Sequence, residues 1–266
     1  MDNNISISDL HILLVEPSSA QRRIIMEEMN SVGIINIDEA SNGQEALESM
    51  EKYTPDLVVS AMYFEDMNGN NIINAMRVND ELKDVPFMLV SSETDEHYLE
   101  PLRQAGVIAI LPKPFEKLAL KKALYATLDY ISPDHLELEE FDVEDLRVLV
   151  VDDSLMARKH ISRILSLMGI EKIVEGKDGV EAVELLKENM YDLIVTDYNM
   201  PEMDGRALIE YVRKQSAQPD IPILMVTSET NETRLASIQQ SGVSAICDKP
   251  FETSTVREMI QRIMSD

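Results

Sequence analysis

One cysteine in 266 residues leaves Cys247 without a partner for an internal disulfide, which fits a reducing compartment, the cytoplasm. Positive charge is also scarce. Lys and Arg number 24 against 49 Asp and Glu, a net charge of -25. A surface of that sign repels nucleic acid and anionic membranes, so neither is expected as a direct partner. Long apolar runs are missing too. The N-terminus, MDNNISISDLHILLVEP, has no basic stretch ahead of an apolar core, so no signal peptide and no membrane span is expected. The four histidines, His11, His97, His135 and His160, share no ligand spacing, which argues against a histidine metal site.

What is present reads as globular. Hydrophobic residues make up 44% and charged residues 27%, and the length suits two domains, each with its own core. The sixteen methionines fall mostly at apolar strand and helix positions, where core packing is their ordinary role. Shifting the sequence by 136 aligns its halves without a gap. Leu14-Val15-Glu16-Pro17-Ser18 falls on Val150-Val151-Asp152-Asp153-Ser154, and Asn42-Gly43 falls on Asp178-Gly179. Val90-Ser91-Ser92-Glu93-Thr94 falls on Val226-Thr227-Ser228-Glu229-Thr230, and Lys113-Pro114-Phe115-Glu116 on Lys249-Pro250-Phe251-Glu252. Roughly 37 of about 118 paired positions are identical, over a period far too long for a solenoid. The expected organisation is a domain at 1–130, a connecting segment at 131–146 and a second domain at 147–266. Their net charges are -12, -7 and -6. The dense acidity of 131–146 reads as a solvated linker; Leu136, Leu138 and Phe141 leave open a short interaction helix.

Each half alternates short apolar runs with amphipathic stretches. In the second half the pattern predicts strands at Arg147–Val151, Lys172–Glu175, Asp192–Thr196, Ile223–Thr227 and Ala245–Cys247. Helices are predicted between and after them, at Ser154–Met168, Gly179–Asn189, Gly205–Lys214, Glu232–Ser241 and Thr253–Met264. Strands apolar on both faces and separated by helices form a parallel sheet covered on both sides, and crossover handedness makes it doubly wound.

In such a sheet, sites form at the C-terminal ends of strands. Those ends carry Asp152-Asp153, Asp197, Thr227 and Lys249-Pro250. Three carboxylates and one ammonium are a net negative cluster that a hard divalent cation would relieve, and oxygen donors in small number suit Mg²⁺. The pair after strand 1, D-x-N-M-P-x-M-D-G after strand 3, the Thr after strand 4 and K-P-F after strand 5 together resemble the response-regulator receiver family, over essentially all of residues 147–266. The resemblance implies two tandem flavodoxin-like (βα)5 domains with a five-stranded parallel sheet in each. It implies that Asp197 accepts a phosphoryl group from a histidine kinase or phosphotransfer protein. Asp153, Asp197 and the Asn199 carbonyl would ligate Mg²⁺, with Asp152 acting through water. Thr227 and Lys249 would hold the phosphoryl oxygens, and the Lys249-Pro250 peptide would be cis. Asn199 and Glu229 stand at the positions that set self-hydrolysis, as in chemotaxis-type single receivers. Ile246 departs from the family, whose switch position carries Tyr or Phe.

The first half breaks the pattern. The same offset puts Glu16-Pro17 in place of the acidic pair and Ala61 in place of Asp197, while Ser91 and Lys113 survive. This half looks like a degenerate pseudo-receiver, with Lys113 expected to pair with Glu16. The apolar loop Ala61-Met62-Tyr63-Phe64 either fills the vacated pocket or forms a partner patch. The chain ends about where a fifth helix should, so output is expected through contacts with an unknown protein partner. A phosphate sink or relay without output, and a purely structural adaptor, are the alternatives.

Overall fold

The structure is a computed structural model that describes residues 6–133, 136–138, 142–229, 232–250 and 252–265. The chain divides into two compact units, Met1–Ser132 and Pro133–Asp266. In the first, a 3₁₀ turn at Ile7–Asp9 precedes β1 (His11–Val15), α1 (Ser19–Ser31), β2 (Asn36–Ala40), α2 (Gly43–Lys52) and β3 (Leu57–Ser60). These lead to α3 (Gly69–Val78), β4 (Phe87–Ser91), α4 (Glu96–Gln104), β5 (Ala109–Pro112) and α5 (Lys117–Ile131). The second unit repeats the order after a 3₁₀ turn at Val143–Asp145. Its elements are β6 (Arg147–Val151), α6 (Leu155–Leu167), β7 (Lys172–Gly176), α7 (Gly179–Glu188) and β8 (Leu193–Asp197). Then follow α8 (Gly205–Gln215), β9 (Ile223–Thr227), α9 (Glu232–Gln240), β10 (Ala245–Asp248) and α10 (Thr253–Ser265).

Both sheets are five-stranded and parallel, ordered β2-β1-β3-β4-β5 and β7-β6-β8-β9-β10. Each unit is a flavodoxin-like α/β domain, as the sequence pattern predicts. The central strands β6, β8 and β9 are apolar and buried on both faces, whereas the edge strand β7 alternates exposed and half-buried residues. That contrast follows from helices covering both sides of the middle of the sheet. Strand order reverses between β6 and β8, so the ends of these two strands flank a crevice at the switch point.

Helix starts are fixed by side-chain caps. Ser154 accepts the Ala157 N–H (3.3 Å), Asp178 the Glu181 N–H (2.8 Å) and Asp204 the Ala207 N–H (2.8 Å), each worth about 1 kcal/mol. Several element ends differ from expectation by a single residue, and β8 is shifted by one at both ends. The Asp192 carboxylate lies outside β8, where it accepts the Arg147 N–H (2.8 Å). The ladder therefore runs one residue further at its other end and takes in Asp197, which pairs with Val226 on β9. The segment between the units is not simply solvated. Leu136 is buried in the second unit and its N–H donates to the Met168 carbonyl (2.9 Å). Leu136 to Leu138 are not helical; Phe141 lies outside the described residues.

Gly205 opens α8 directly against the end of β8. A Cβ there would lie 2.2 Å from the Asp197 carbonyl oxygen, whereas at the equivalent Gly69 it would lie 3.1 Å from that of Ala61. Gly205→Ala should therefore destabilise the second unit by about 1–3 kcal/mol, in the range of overpacking strain. Gly69→Ala should cost the first unit clearly less. Calorimetric unfolding of the two variants measures both; equal losses would contradict this reading.

Candidate functional site

Three side chains meet at the C-terminal edge of the second sheet. Asp152 follows β6, Asp197 ends β8 and Lys249 follows β10. The Lys249 ammonium lies 2.8 Å from Asp152 Oδ2 and 2.9 Å from Asp197 Oδ1. Asp152 is fully buried, Asp197 is 2% exposed and Lys249 7%. The remaining carboxylate oxygens are also engaged. Asp152 Oδ1 accepts the Ser154 N–H (2.9 Å) and Asp197 Oδ2 the Asn199 N–H (2.9 Å). Buried charges persist only when so paired.

The cluster is strongly coupled. Burial pushes the Asp197 carboxyl up to about 6, with Lys249 opposing the shift and Asp152 adding to it. Asp153, at the rim, is also raised, first by partial desolvation of its carboxyl and then by the charge of Asp152. Burial disfavours the Lys249 ammonium, but Asp197 and Asp152 outweigh it and hold its pKa above the usual lysine range. Two carboxylates share one ammonium and a third stands beside them, so the cluster retains excess negative charge.

The other residues singled out in the sequence lie around this core. Thr227 is fully buried at the end of β9; its carbonyl accepts the Lys249 N–H (2.8 Å) and its hydroxyl accepts the Glu229 N–H (3.1 Å). Ile246 is half-buried on β10 and packs against the core of the second unit. The Lys249-Pro250 bond is cis, as is Lys113-Pro114. The loop after β8 turns sharply through Glu202, whose φ of 63° is in the left-handed region.

In the first unit the same place is occupied differently. Ala61 is buried where Asp197 would stand. Lys113 lies 2.6 Å from Glu16 Oε2 and donates to Gln21 Oε1 (2.7 Å), so a single carboxylate and an amide hold the ammonium. Ser91 accepts the Glu93 N–H (3.0 Å), matching Thr227 and Glu229. In the apolar loop, Met62 is buried, whereas Tyr63 is 53% exposed. The Tyr63 hydroxyl donates to Glu93 (2.6 Å), and that bond, with burial, pushes its own pKa up to about 12.

The interactions of three arginines were not read from the sequence. Arg158 Nη1 donates to the Asp152 carbonyl (2.6 Å) and its Nε lies 3.5 Å from Glu175, which braces the acidic turn. Arg22 does the same in the first unit, on the Glu16 carbonyl (2.6 Å) and Glu39 (2.7 Å). The identity of both Arg and Glu at the repeat offset was the available signal. Arg234 pairing with Glu229 (2.7 Å) had none, because the first half has Tyr98 at that place.

Comparison with known proteins gives the same picture. A family model described as the response regulator receiver domain matches residues 12–125 and again 148–261. Chemotaxis protein CheY1 of Helicobacter pylori is 37% identical over 120 residues, covering 45% of this chain and 97% of its own length. CheY-3 of Vibrio cholerae is 32% identical over 120 residues, covering 45% and 92%. The solved structure of Vibrio cholerae CheY4 shares 34% identity, covering 44% of this chain and 98% of its own, with a TM-score of 0.42. One family match falls in each compact unit. The chain belongs to the response regulator receiver domain family, carrying that domain twice in tandem.

Proposed function

We propose that Asp197 is the phosphoacceptor of a two-component signalling protein, and that the first unit is an inert pseudo-receiver serving as an interaction or scaffold module. The observation that carries this reading is the contrast between repeats. Where one unit has the Asp152–Lys249–Asp197 cluster, the equivalent positions of the other carry Glu16, Lys113 and Ala61. Receiver domains are phosphorylated by histidine kinases or phosphotransfer proteins. An Asp197 carboxylate oxygen bonds to the phosphorus of phosphohistidine while the P–N bond breaks and imidazole leaves with the electron pair. The transfer needs alignment and charge neutralisation more than covalent help. Lys249 and the Thr227 hydroxyl supply both to the phosphoryl oxygens, and Asn199 and Glu229 flank the path of the water that later hydrolyses the acyl phosphate.

Receiver domains in general bind Mg²⁺ at the phosphorylation site. The donor set of the second unit fits: every donor is an oxygen, and the excess negative charge favours a cation. Among the described residues no three His, Cys, Asp or Glu side chains already converge as a cage. Mg²⁺ takes one or two carboxylates and keeps several waters. Asp153, Asp197 and the Asn199 carbonyl would hold it, with Asp152 acting through a water, and its charge would offset that of the transferring group. In the first unit Pro17 and Ala61 remove two of these donors.

The boundaries follow from this assignment: pseudo-receiver 1–130, acidic connection 131–146 and phosphorylatable receiver 147–266, acting in the cytoplasm as a signalling protein rather than an enzyme. Output passes through contacts with a protein partner. One observation favours a second reading, a phosphate sink without output: Ile246, at the switch position, packs against the core and has no aromatic ring to reorient.

Labelling with acetyl phosphate and Mg²⁺ should place one phosphoryl group per chain, and Asp197→Ala should abolish it; undiminished labelling would mean that the acceptor is another residue. Ala61→Asp should leave the first unit unlabelled, because Pro17 still removes a ligand; a second label would show that the missing ligand matters little. Asp153→Asn should raise the thermal midpoint of the second unit in EDTA by about 2–6 °C through relief of like-charge crowding. It should also abolish the further rise that Mg²⁺ gives the wild type. A lower midpoint in EDTA, or a retained Mg²⁺ effect, would count against Asp153 as a ligand.

A further inference from the structure

Glu229 leaves the backbone two residues after Thr227, and its N–H is tied to the Thr227 hydroxyl (3.1 Å). Glu229 thus starts one hydrogen bond from the Thr227 side chain at the end of β9, and its carboxylate, only 10% exposed, meets Arg234 Nη1 at 2.7 Å. Arg234 lies in the first turn of α9 and is itself 61% exposed. Glu229 raises the pKa of the guanidinium, and Tyr198, the residue after Asp197, adds a smaller push. The cation thus lies in electrostatic reach of the acceptor loop.

The first unit shows what happens to this cation where the chemistry is missing. Lys113 is retained beside Glu16, so the strand-end lysine belongs to the fold of both repeats. The Arg234 position instead carries Tyr98, and the equivalent Glu93 is held by a neutral donor, the Tyr63 hydroxyl. The cation on Glu229 accompanies the acceptor rather than the fold.

Formal charge explains why it is needed. The pocket holds Asp152, Asp153 and Asp197 against Lys249, and a phosphodonor brings further negative charge. An unneutralised Glu229 would repel that donor where it enters, and a charge of one sign at a cleft mouth acts on the encounter itself. We propose that Arg234 is a positioning residue for phosphoryl transfer, which holds and neutralises Glu229 at the entrance so that anionic phosphodonors reach Asp197. This rests on Asp197 being the acceptor.

The test is the rate of labelling of the full chain by acetyl phosphate with Mg²⁺. In that reaction Asp197 displaces acetate, which leaves with the electrons of the broken P–O bond. Arg234→Ala should slow labelling at low salt about three- to tenfold, the lower end of electrostatic steering effects. The loss should lie in the KM for the donor and not in the limiting rate. It should fade towards about 1 M salt, where charges are screened beyond roughly 3 Å. Arg234→Lys should restore the rate, and the loss should shrink when Glu229→Gln is already present. A rate unchanged by Arg234→Ala would overturn the proposal. So would a loss equally large at high salt or in the Glu229→Gln background, which would mark a merely structural role. Asp197→Ala run in parallel separates the two readings: label that survives it refutes the acceptor, whereas label that depends on Asp197 with a rate indifferent to Arg234 refutes only Arg234.

Discussion

The second unit depends on one ammonium group between two buried carboxylates. Lys249 sits within 2.9 Å of both Asp152 and Asp197, and no residue of the three is stable there alone. An unpaired charge at that depth carries a penalty of several kcal/mol. The three strands that supply them are therefore held in register by electrostatics as well as by the ladder, at the crevice where strand order reverses. The arrangement is also incomplete in charge. One lysine does not neutralise two aspartates with Asp153 beside them; burial, with the charge of Asp152 adding to it, pushes the carboxyl of Asp197 up to about 6. A site left short of positive charge favours the approach of a cation.

Duplication within one chain separates what the fold needs from what the chemistry needs. Both units keep the strand-end lysine, the arginine that braces the β1 or β6 turn, and the hydroxyl that caps the next loop. The first unit satisfies its lysine with Glu16 and Gln21 alone. That pair neutralises the ammonium without a second carboxylate, so the sheet edge closes without demand for a cation. The loop after β3 takes Met62 inward and ties Tyr63 to Glu93.

Most of the fold was legible because periodicity and strand-end residues act locally. Apolar runs buried on both faces, helix caps at Ser154, Asp178 and Asp204, and Gly169 after α6 all signal through sequence neighbours. The residues of the cluster were legible too, because topology brings strand ends together whatever the side chains do. The single-residue shift of β8 was not, since it depends on Asp192 bonding to Arg147 across 45 positions. The same holds for Leu136, whose burial needs the end of α6, and for Arg234, whose partner choice is a three-dimensional matter. Chain-distant pairing leaves a trace in one sequence only where the repeat duplicates it, as it does for Arg22 and Arg158.

The central claim is that two domains of one fold differ in whether their strand ends carry out chemistry. Adding beryllofluoride and Mg²⁺ to the isotope-labelled chain, and following backbone amide resonances of both units, tests it most directly. The account predicts large shifts at the ends of β6, β8, β9 and β10, around Asp153, Asp197, Thr227 and Lys249, with Ala61, Ser91 and Lys113 unmoved. Shifts of equal size around Ala61 and Ser91, or none around Asp197, would contradict it.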